Sequence, residues 1–387
     1  MPGFLRNQKI RNILLQALFV AVVLIIVVGG WRNAKATLEA QHIVSGFGFL
    51  EKATGWDVNF SLLPHSASDP YWWFFVIGIV NTLFLGTLGL ALATLIGGTI
   101  GIMRTVSHPV LNLLGRTYVD VFRNIPLILQ VFFWYALVTH LPAPRNAISF
   151  GPLTLSSRGI YMPVLNVVGW YQAAAGVALL LALVLPLCLA RTRRIARPPE
   201  ARRPLVLGVL AGGILTALAL LLLGRNPAEP LISAPVLQGL NIRGGLRVSP
   251  EFSAMLIAIG IYGGAYISEI VRGGFKSLGK GQTEAAHALG LTPLQSFFRI
   301  RLPLALRAML PILANQYIWL IKATTMGIAI GFTDFFMIVA VTINQSGQTI
   351  EAIGILMAGF LAINLTLAAI FNRINKAIAL KGNQLRG

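Results

Sequence analysis

Eight apolar runs, separated by polar or mixed segments, set the pattern of this chain. They cover approximately residues 13–31, 73–103, 125–141, 170–190, 204–223, 252–271, 309–331 and 352–372. A helix crosses ~30 Å of hydrocarbon with about 20 residues, which is the scale of these runs. The third is short. The second is long, as expected of a tilted helix or one that continues beyond the bilayer. The pattern predicts an all-α polytopic membrane protein with about eight transmembrane helices.

Composition agrees. Of 387 residues 56% are apolar and 11% charged, against ~25% charged in an ordinary soluble domain, so there is too little polar surface to keep a compact chain of this size in water. Cys188 is the one cysteine and cannot pair within the chain, which excludes a disulfide scaffold. A net charge of +19 suits a nucleic-acid binder when the charges share one exposed face. Here they lie between the apolar runs, so no nucleic-acid partner is expected.

The charge reports topology instead. Taking alternate connecting segments from the N-terminus, 22 Lys and Arg fall on one side, 8 on the other, and Lys322 inside a run. The richer side includes Arg104, Arg116, Arg123, Arg191–Arg203, Arg272–Arg307 and Arg373–Arg386. Because cytoplasmic loops carry the excess of basic residues, both termini are expected in the cytoplasm. Arg6–Arg11, an apolar run and Ala34-Lys35-Ala36 imitate a cleavable signal peptide, but the run is longer than the usual ~7–15 residues. An uncleaved anchor is expected.

Four regions follow. Residues 1–72 are an anchor span and an outer loop, ending in Tyr71-Trp72-Trp73, an interfacial aromatic belt. Residues 73–141 and 251–387 carry the polar landmarks. Residues 142–250 read as an inserted pair of spans with the Arg/Pro-rich linker 191–204. Gly97/Gly101, Gly260/Gly264 and Gly327/Gly331 are G-x-x-x-G pairs, read as helix packing.

The most informative stretch is Gly281–Pro303, expected on the cytoplasmic side. It reads as two short helices. Thr283 is placed to cap the first, with Glu284 in its first turn and Gly290 as its stop. Thr292-Pro293-Leu294-Gln295 is a capping-box restart. The second helix is expected to bury Phe297, Phe298 and Ile300 and to end before Leu302-Pro303. Physical chemistry alone leaves two readings, a grip for a soluble partner or a connector lying on the surface.

These residues resemble a known motif. Glu284-Ala285-Ala286, Gly290, Ile300 and Leu302-Pro303 look like the EAA loop of ABC-importer permeases. Tyr266–Gly274, Tyr118–Tyr135 with Arg123-Asn124-Ile125-Pro126-Leu127 and Gln130, and Gly78–Leu83 narrow the resemblance to polar amino-acid uptake permeases. Asn344–Gln348 and the extra spans are similar to the first permease subunit of general L-amino-acid importers (Aap/Bzt-type). The resemblance is weak across 142–250.

It implies a type-I importer permease core. It also implies a coupling helix at 281–303 that docks on a separate ABC ATPase dimer, a second permease subunit as a heterodimer partner, and a periplasmic binding protein that delivers an L-amino acid. The location implied is the bacterial inner membrane. The chain itself would hold no cofactor and perform no covalent chemistry. One departure stands out: Lys322 is retained, but Ala323 replaces the polar residue that usually follows it.

Other candidates are weaker. Gly274–Lys280 matches seven positions of a P-loop, yet Gly281 replaces the Mg²⁺-binding hydroxyl. Lys322 is costly inside a bilayer and is a candidate counter-charge for a substrate carboxylate, or a structural cation. Asn315 and Gln316 are candidates to line a path or to bond between helices. Glu269 is expected to pair with Arg272 at i,i+3. The five histidines show no metal-ligand spacing. An ion-coupled secondary transporter would show matching broken helices, and no internal repeat is visible. A non-transporting scaffold or receptor leaves the 281–303 motif unexplained.

Overall fold

The computed structural model describes residues 8–40, 46–191, 199–225, 227–228 and 230–378. Residues 192–198 of the linker, and Arg6, Lys381 and Arg386 near the termini, therefore lie outside the described residues. The α-helices are α1 Gln8–Ala40, α2 Tyr71–Met103, α3 Pro109–Asn124, α4 Leu127–Thr139, α5 Gly169–Arg191, α6 Pro199–Leu223, α7 Pro250–Lys276, α8 Lys280–Ala288, α9 Pro293–Ser296, α10 Leu302–Lys322, α11 Phe335–Ser346 and α12 Thr349–Ile378. Two compact units result, Met1–Trp134 with Ala254–Gly387, and Tyr135–Ser253.

The eight apolar runs all fall on helices, but length and composition single out fewer of them. Among the described residues, Arg11–Asn33, Tyr71–Met103, Pro250–Lys276, Pro293–Ile330 and Thr349–Lys376 are each long and apolar enough to cross a membrane alone. The apolar part of α6, Leu207–Leu223, is shorter.

The third run belongs to a bent helix pair, which passes the same test of length and composition only when its two arms are taken together. Residues expected as a connector form the 16-residue helix α3, and α4, only 13 residues long, follows at 101°. The break has a local cause. Pro126 lacks an N–H, and its ring drives Ile125 out of the helical region, to φ −88° and ψ 124°.

The core of the first unit gathers where α2, α11 and the loop of residues 46–70 meet. Phe49, Tyr71, Phe74, Phe75, Ile77, Phe335, Ile338, Val339 and Ala352 form one buried cluster. Trp56 packs edge-on to Phe74 at 4.7 Å, and Phe75 faces Phe335 at 6.3 Å. Tyr71 is thus buried rather than a member of an exposed aromatic belt, although Trp72 is 48% exposed.

Polar side chains fix the same junction. Asn81, fully buried, donates from Nδ2 to Phe60 O at 2.9 Å and Thr333 O at 2.8 Å. Thr82 Oγ1 accepts from Phe335 N at 3.0 Å. A Cβ on Gly78 would sit 2.8 Å from the Phe335 backbone. The Gly78–Leu83 motif is therefore a seat for the 332–335 turn. Asp334 caps α11, its Oδ1 accepting from Met337 N at 2.8 Å. In the same loop, the Val58 N–H and the His65 ring hold the Asp57 carboxyl below the usual carboxylate range.

Two of the three glycine pairs do what their spacing predicts. A Cβ on Gly97 would lie 2.6 Å from Ile267 Cβ and 2.7 Å from Gly264 O, so α2 and α7 touch almost backbone to backbone. A Cβ on Gly101 would meet Val271 at 2.6 Å, and one on Gly260 would meet Leu92 at 2.5 Å. Gly327/Gly331 is different. After Lys322 the chain tightens into a 3-10 turn, Ala323–Ile330, which Gly331 ends at φ +78°. Gly331 is a stop and has no packing partner within 4 Å.

The second unit contains the strands that an all-α expectation did not include. β1 Ile148–Phe150, β2 Leu153–Ser156, β3 Gly159–Met162 and β4 Val164–Leu165 precede α5. β5 Ile232–Ser233, β6 Val236–Gln238, β7 Asn241–Arg243 and β8 Leu246–Val248 follow α6. β1, β2, β3 and β8 form one antiparallel sheet in that order, with Tyr161 opposite Arg247. α5 and α6 pair as a hairpin on small residues, with Ala182 and Ala217 buried and Gly213 against Ala182.

Candidate functional site

The segment from Lys280 to Arg301 folds as a compact hinge of short helices. α8 starts at Lys280, capped by Gly279, so Thr283 is not its cap and Glu284 lies beyond its first turn. The physical reason is that the extended Gly279 lets the helix start four residues earlier than Thr283 would allow. Its end is as expected. Gly290 adopts φ +73°, and Gly290 N and Leu291 N donate back to His287 O at 2.9 Å and Ala286 O at 3.1 Å, which satisfies carbonyls of the last turn.

The restart is also as expected. Gln295 N donates to Thr292 Oγ1 at 3.3 Å, and Thr292 N to Gln295 Oε1 at 3.1 Å, a reciprocal capping box. Beyond it the sequence reading fails. The helix does not stop before Leu302-Pro303. A π-helical turn, Phe297–Arg301, leads straight into α10, with Pro303 in its first turn. A proline is tolerated in the first turn of a helix, where its fixed φ already suits the helical backbone.

Burial in this segment is also unlike the expectation. Ala286 is fully buried, whereas Glu284 and Ala285 are exposed. Ile300, Leu302 and Pro303 are half-buried. Leu289, Leu294 and Phe298 are 78%, 69% and 58% exposed. Three large apolar side chains on one polar hinge form a surface with unspent hydrophobic area. Phe297 instead turns inward and stacks on Phe275 of α7, with centroids 5.6 Å apart and planes at 11°. Arg301 lies over the same Phe275 ring at 5.9 Å. Residues 274–281 close α7 and open α8, with no strand before them, which is not the setting of a P-loop.

α7 in turn collects the other landmarks. Tyr118 Oη donates to Ile261 O at 2.6 Å, and Arg123 lies over the Tyr266 ring at 5.3 Å. Gln130 Nε2 bridges the α3–α4 bend, donating to Phe122 O at 2.9 Å and Ile125 O at 3.0 Å. Glu269 accepts from Arg272 Nε at 3.2 Å and also from Arg272 Nη2, the expected i,i+3 pair. It also accepts from Arg104 Nη1 at 2.7 Å. That second partner, just past the end of α2, was not visible in the local pattern.

Lys322 ends α10 and is exposed. It borders a cavity of about 540 Å³ with Ile128, Met326, Phe336, Met357 and Phe360, and no carboxylate lines it. Thr325 Oγ1 donates to Lys322 O at 2.8 Å, which fixes the start of the 3-10 turn. Asn315 is exposed and Gln316 half-buried, and neither lines that cavity. Their neighbour Tyr317 reaches α2, sharing a 2.9 Å hydrogen bond with Thr94. Asn344–Gln348 marks a helix end, with Gly347 at φ +70°.

Comparison with known proteins places this arrangement. A family model described as "Binding-protein-dependent transport system inner membrane component" matches residues 205–381. A protein of Escherichia coli, YhdX, assigned as an amino-acid ABC transporter permease, is 35% identical over 381 residues, covering 97% of this chain and 95% of its own. The general L-amino acid transport system permease protein AapQ of Rhizobium johnstonii is 34% identical over 97% of this chain and 94% of its own. The glutamate/glutamine/aspartate/asparagine transport system permease protein BztB of Rhodobacter capsulatus is 30% identical, with coverages of 97% and 95%. The crystal structure of an amino acid ABC transporter with histidines superposes with a TM-score of 0.47 at 19% identity, over 79% of this chain and 94% of that one.

Proposed function

We propose that this chain, which belongs to the family of binding-protein-dependent transport system inner membrane components, is the permease subunit that carries L-amino acids across the bacterial inner membrane. The observation that carries the reading is near-full-length similarity to permeases whose names specify amino-acid transport, on a chain with several membrane-crossing helices. In this reading both termini face the cytoplasm, and a periplasmic binding protein delivers the substrate. A separate ABC ATPase dimer hydrolyses ATP, and a second permease subunit completes the pathway.

The hinge at 280–301 is the part that the ATPase grips, through Glu284, Ala285 and the exposed Leu289, Leu294 and Phe298. Closure of the ATPase dimer displaces the hinge. Phe297 then moves Phe275 and α7, and the Arg104–Glu269–Arg272 cluster carries α2 along. The partners' differential affinity for two states of the helices supplies the shift between inward- and outward-facing forms. Lys322 offers a cation to the substrate's carboxylate in a cavity that, Thr325 apart, is otherwise apolar.

Uptake in cells that lack only this chain tests the reading. Complementation with the wild type restores ATP-dependent uptake of several polar L-amino acids that compete with one another, and Lys322→Gln raises the concentration needed for half-maximal uptake. Restoration of uptake for glutamate, glutamine, aspartate and asparagine alone supports a narrower range, favoured by the name of the 30%-identical relative. Uptake that survives ATP depletion while an ion gradient persists contradicts it.

A further inference from the structure

A cavity of about 510 Å³ opens where α3 meets the ends of α2 and α7. Its lining carries Arg104, Arg116, Arg272, Lys276 and Arg301 against the single carboxylate of Asp120. Glu269 engages two of these cations and still leaves three in excess. The Arg104 side chain is only 8% exposed, and its Nε is buried without a hydrogen-bond partner. A buried N–H donor left unpaired is costly, so this site is built for an anion that the protein does not itself provide.

Two observations specify that anion. Four of the five cations are guanidiniums, planar forks that suit the several oxygens of a phosphate, and the cluster already contains its own carboxylate. α3 itself, which contributes Arg116 and Asp120, buries Gly115 and Val119 but exposes Val110, Leu113, Leu114 and Val121. It meets α4 at 101°. A two-faced helix that lies nearly at right angles to the helix after it has the geometry of one lying at the bilayer surface, which puts the cavity at the level of lipid headgroups.

We propose that this cavity binds the phosphate of an anionic phospholipid headgroup. Basic pockets between the ends of membrane helices are suited to such headgroups. The inference rests on membrane embedding alone and is independent of what the chain transports. Because Arg301 closes the π-turn of the hinge, the bound headgroup ties the hinge to the ends of α2 and α7.

The test is lipid retention by the full-length chain, read by native mass spectrometry after exchange into mixed phosphatidylglycerol/phosphatidylcholine and pure phosphatidylcholine bilayers. The pure bilayers are also measured with millimolar inorganic phosphate. The wild type retains phosphatidylglycerol selectively. Arg116→Gln/Lys276→Gln, which spares the Glu269 network, weakens retention about thirtyfold, and Lys276→Gln alone about fivefold. The exposed Arg307→Gln, outside the cavity, stays within about twofold, as a surface charge should. Equal retention by the double variant and the wild type overturns the proposal. So does thermal stabilisation by inorganic phosphate as great as that by phosphatidylglycerol, since the site would then belong to a free anion.

Discussion

Arg104 and Glu269, 165 positions apart in the chain, meet with Nη1 and Oε2 at 2.7 Å. This contact joins the end of α2 to the last turns of α7, and Arg272 holds the same carboxylate from within α7. The carboxylate therefore bridges two guanidiniums at once. Glu269→Gln leaves them facing each other and lowers stability by about 1–2 kcal/mol. The loss is below the ~3–5 kcal/mol of a fully buried broken pair, because the Glu269 side chain is 30% exposed. Arg272→Gln costs less, since Arg104 still pairs with Glu269. Thermal inactivation midpoints in detergent should rank wild type, Arg272→Gln and Glu269→Gln in descending order.

Gly97 and Gly98 are neighbours with opposite surroundings. A methyl group on Gly97 meets Ile267 and the Gly264 carbonyl below 3 Å, whereas one on Gly98 meets nothing within 4 Å. Gly97→Ala is expected to cost about 1–3 kcal/mol through overpacking. Gly98→Ala is neutral or slightly stabilising. Folded yield and thermal midpoint of the two variants, purified side by side, check the difference.

Asn81 holds the 46–70 loop and the 333 turn with one amide. Asn81→Leu leaves two carbonyls without their donor in a fully buried place and lowers stability by about 2–3 kcal/mol. Limited proteolysis should then cut within residues 54–66 at rates well above those of the wild type, while cleavage at the 280–301 hinge stays unchanged.

The hinge depends on two local devices. Thr292→Ala removes the capping box and costs about 1 kcal/mol. Gly290→Ala forces a side chain into the left-handed region at about 1–2 kcal/mol. In the assembled transporter both should lower substrate-stimulated ATPase activity more than they lower expression. The ratio of stimulated to basal hydrolysis is the measurement.

Much of this was legible in the sequence where the signal is local. The stop at Gly290, the capping box at Thr292, the Glu269–Arg272 pair and the close helix packing at Gly97/Gly101 and Gly260/Gly264 each follow from residue type and spacing. The failures share one cause, that tertiary context outweighed the local signal. Thr283 looked like a cap because nothing local shows that Gly279 is extended. Pro303 looked like a stop because its first-turn position depends on the π-turn before it. Gly327/Gly331 matched a packing motif but sits where the helix tightens and ends. Arg104 at Glu269, and Phe297 on Phe275, join segments whose adjacency no spacing rule reveals. The strands between Ile148 and Val248 are two to four residues each, too short for alternation to stand out.

The central claim is that the 280–301 hinge is where a separate ATPase takes hold. Mild-detergent purification of the full-length chain from native membranes, with ATP hydrolysis assayed on the eluate, tests it most directly. The account predicts that the wild type brings an ATPase and a second permease subunit with it. Glu284→Arg and Leu294→Asp should lose the ATPase while keeping the second permease. A wild-type chain that elutes without ATP hydrolysis, or a Glu284→Arg variant that retains it in full, would contradict the account.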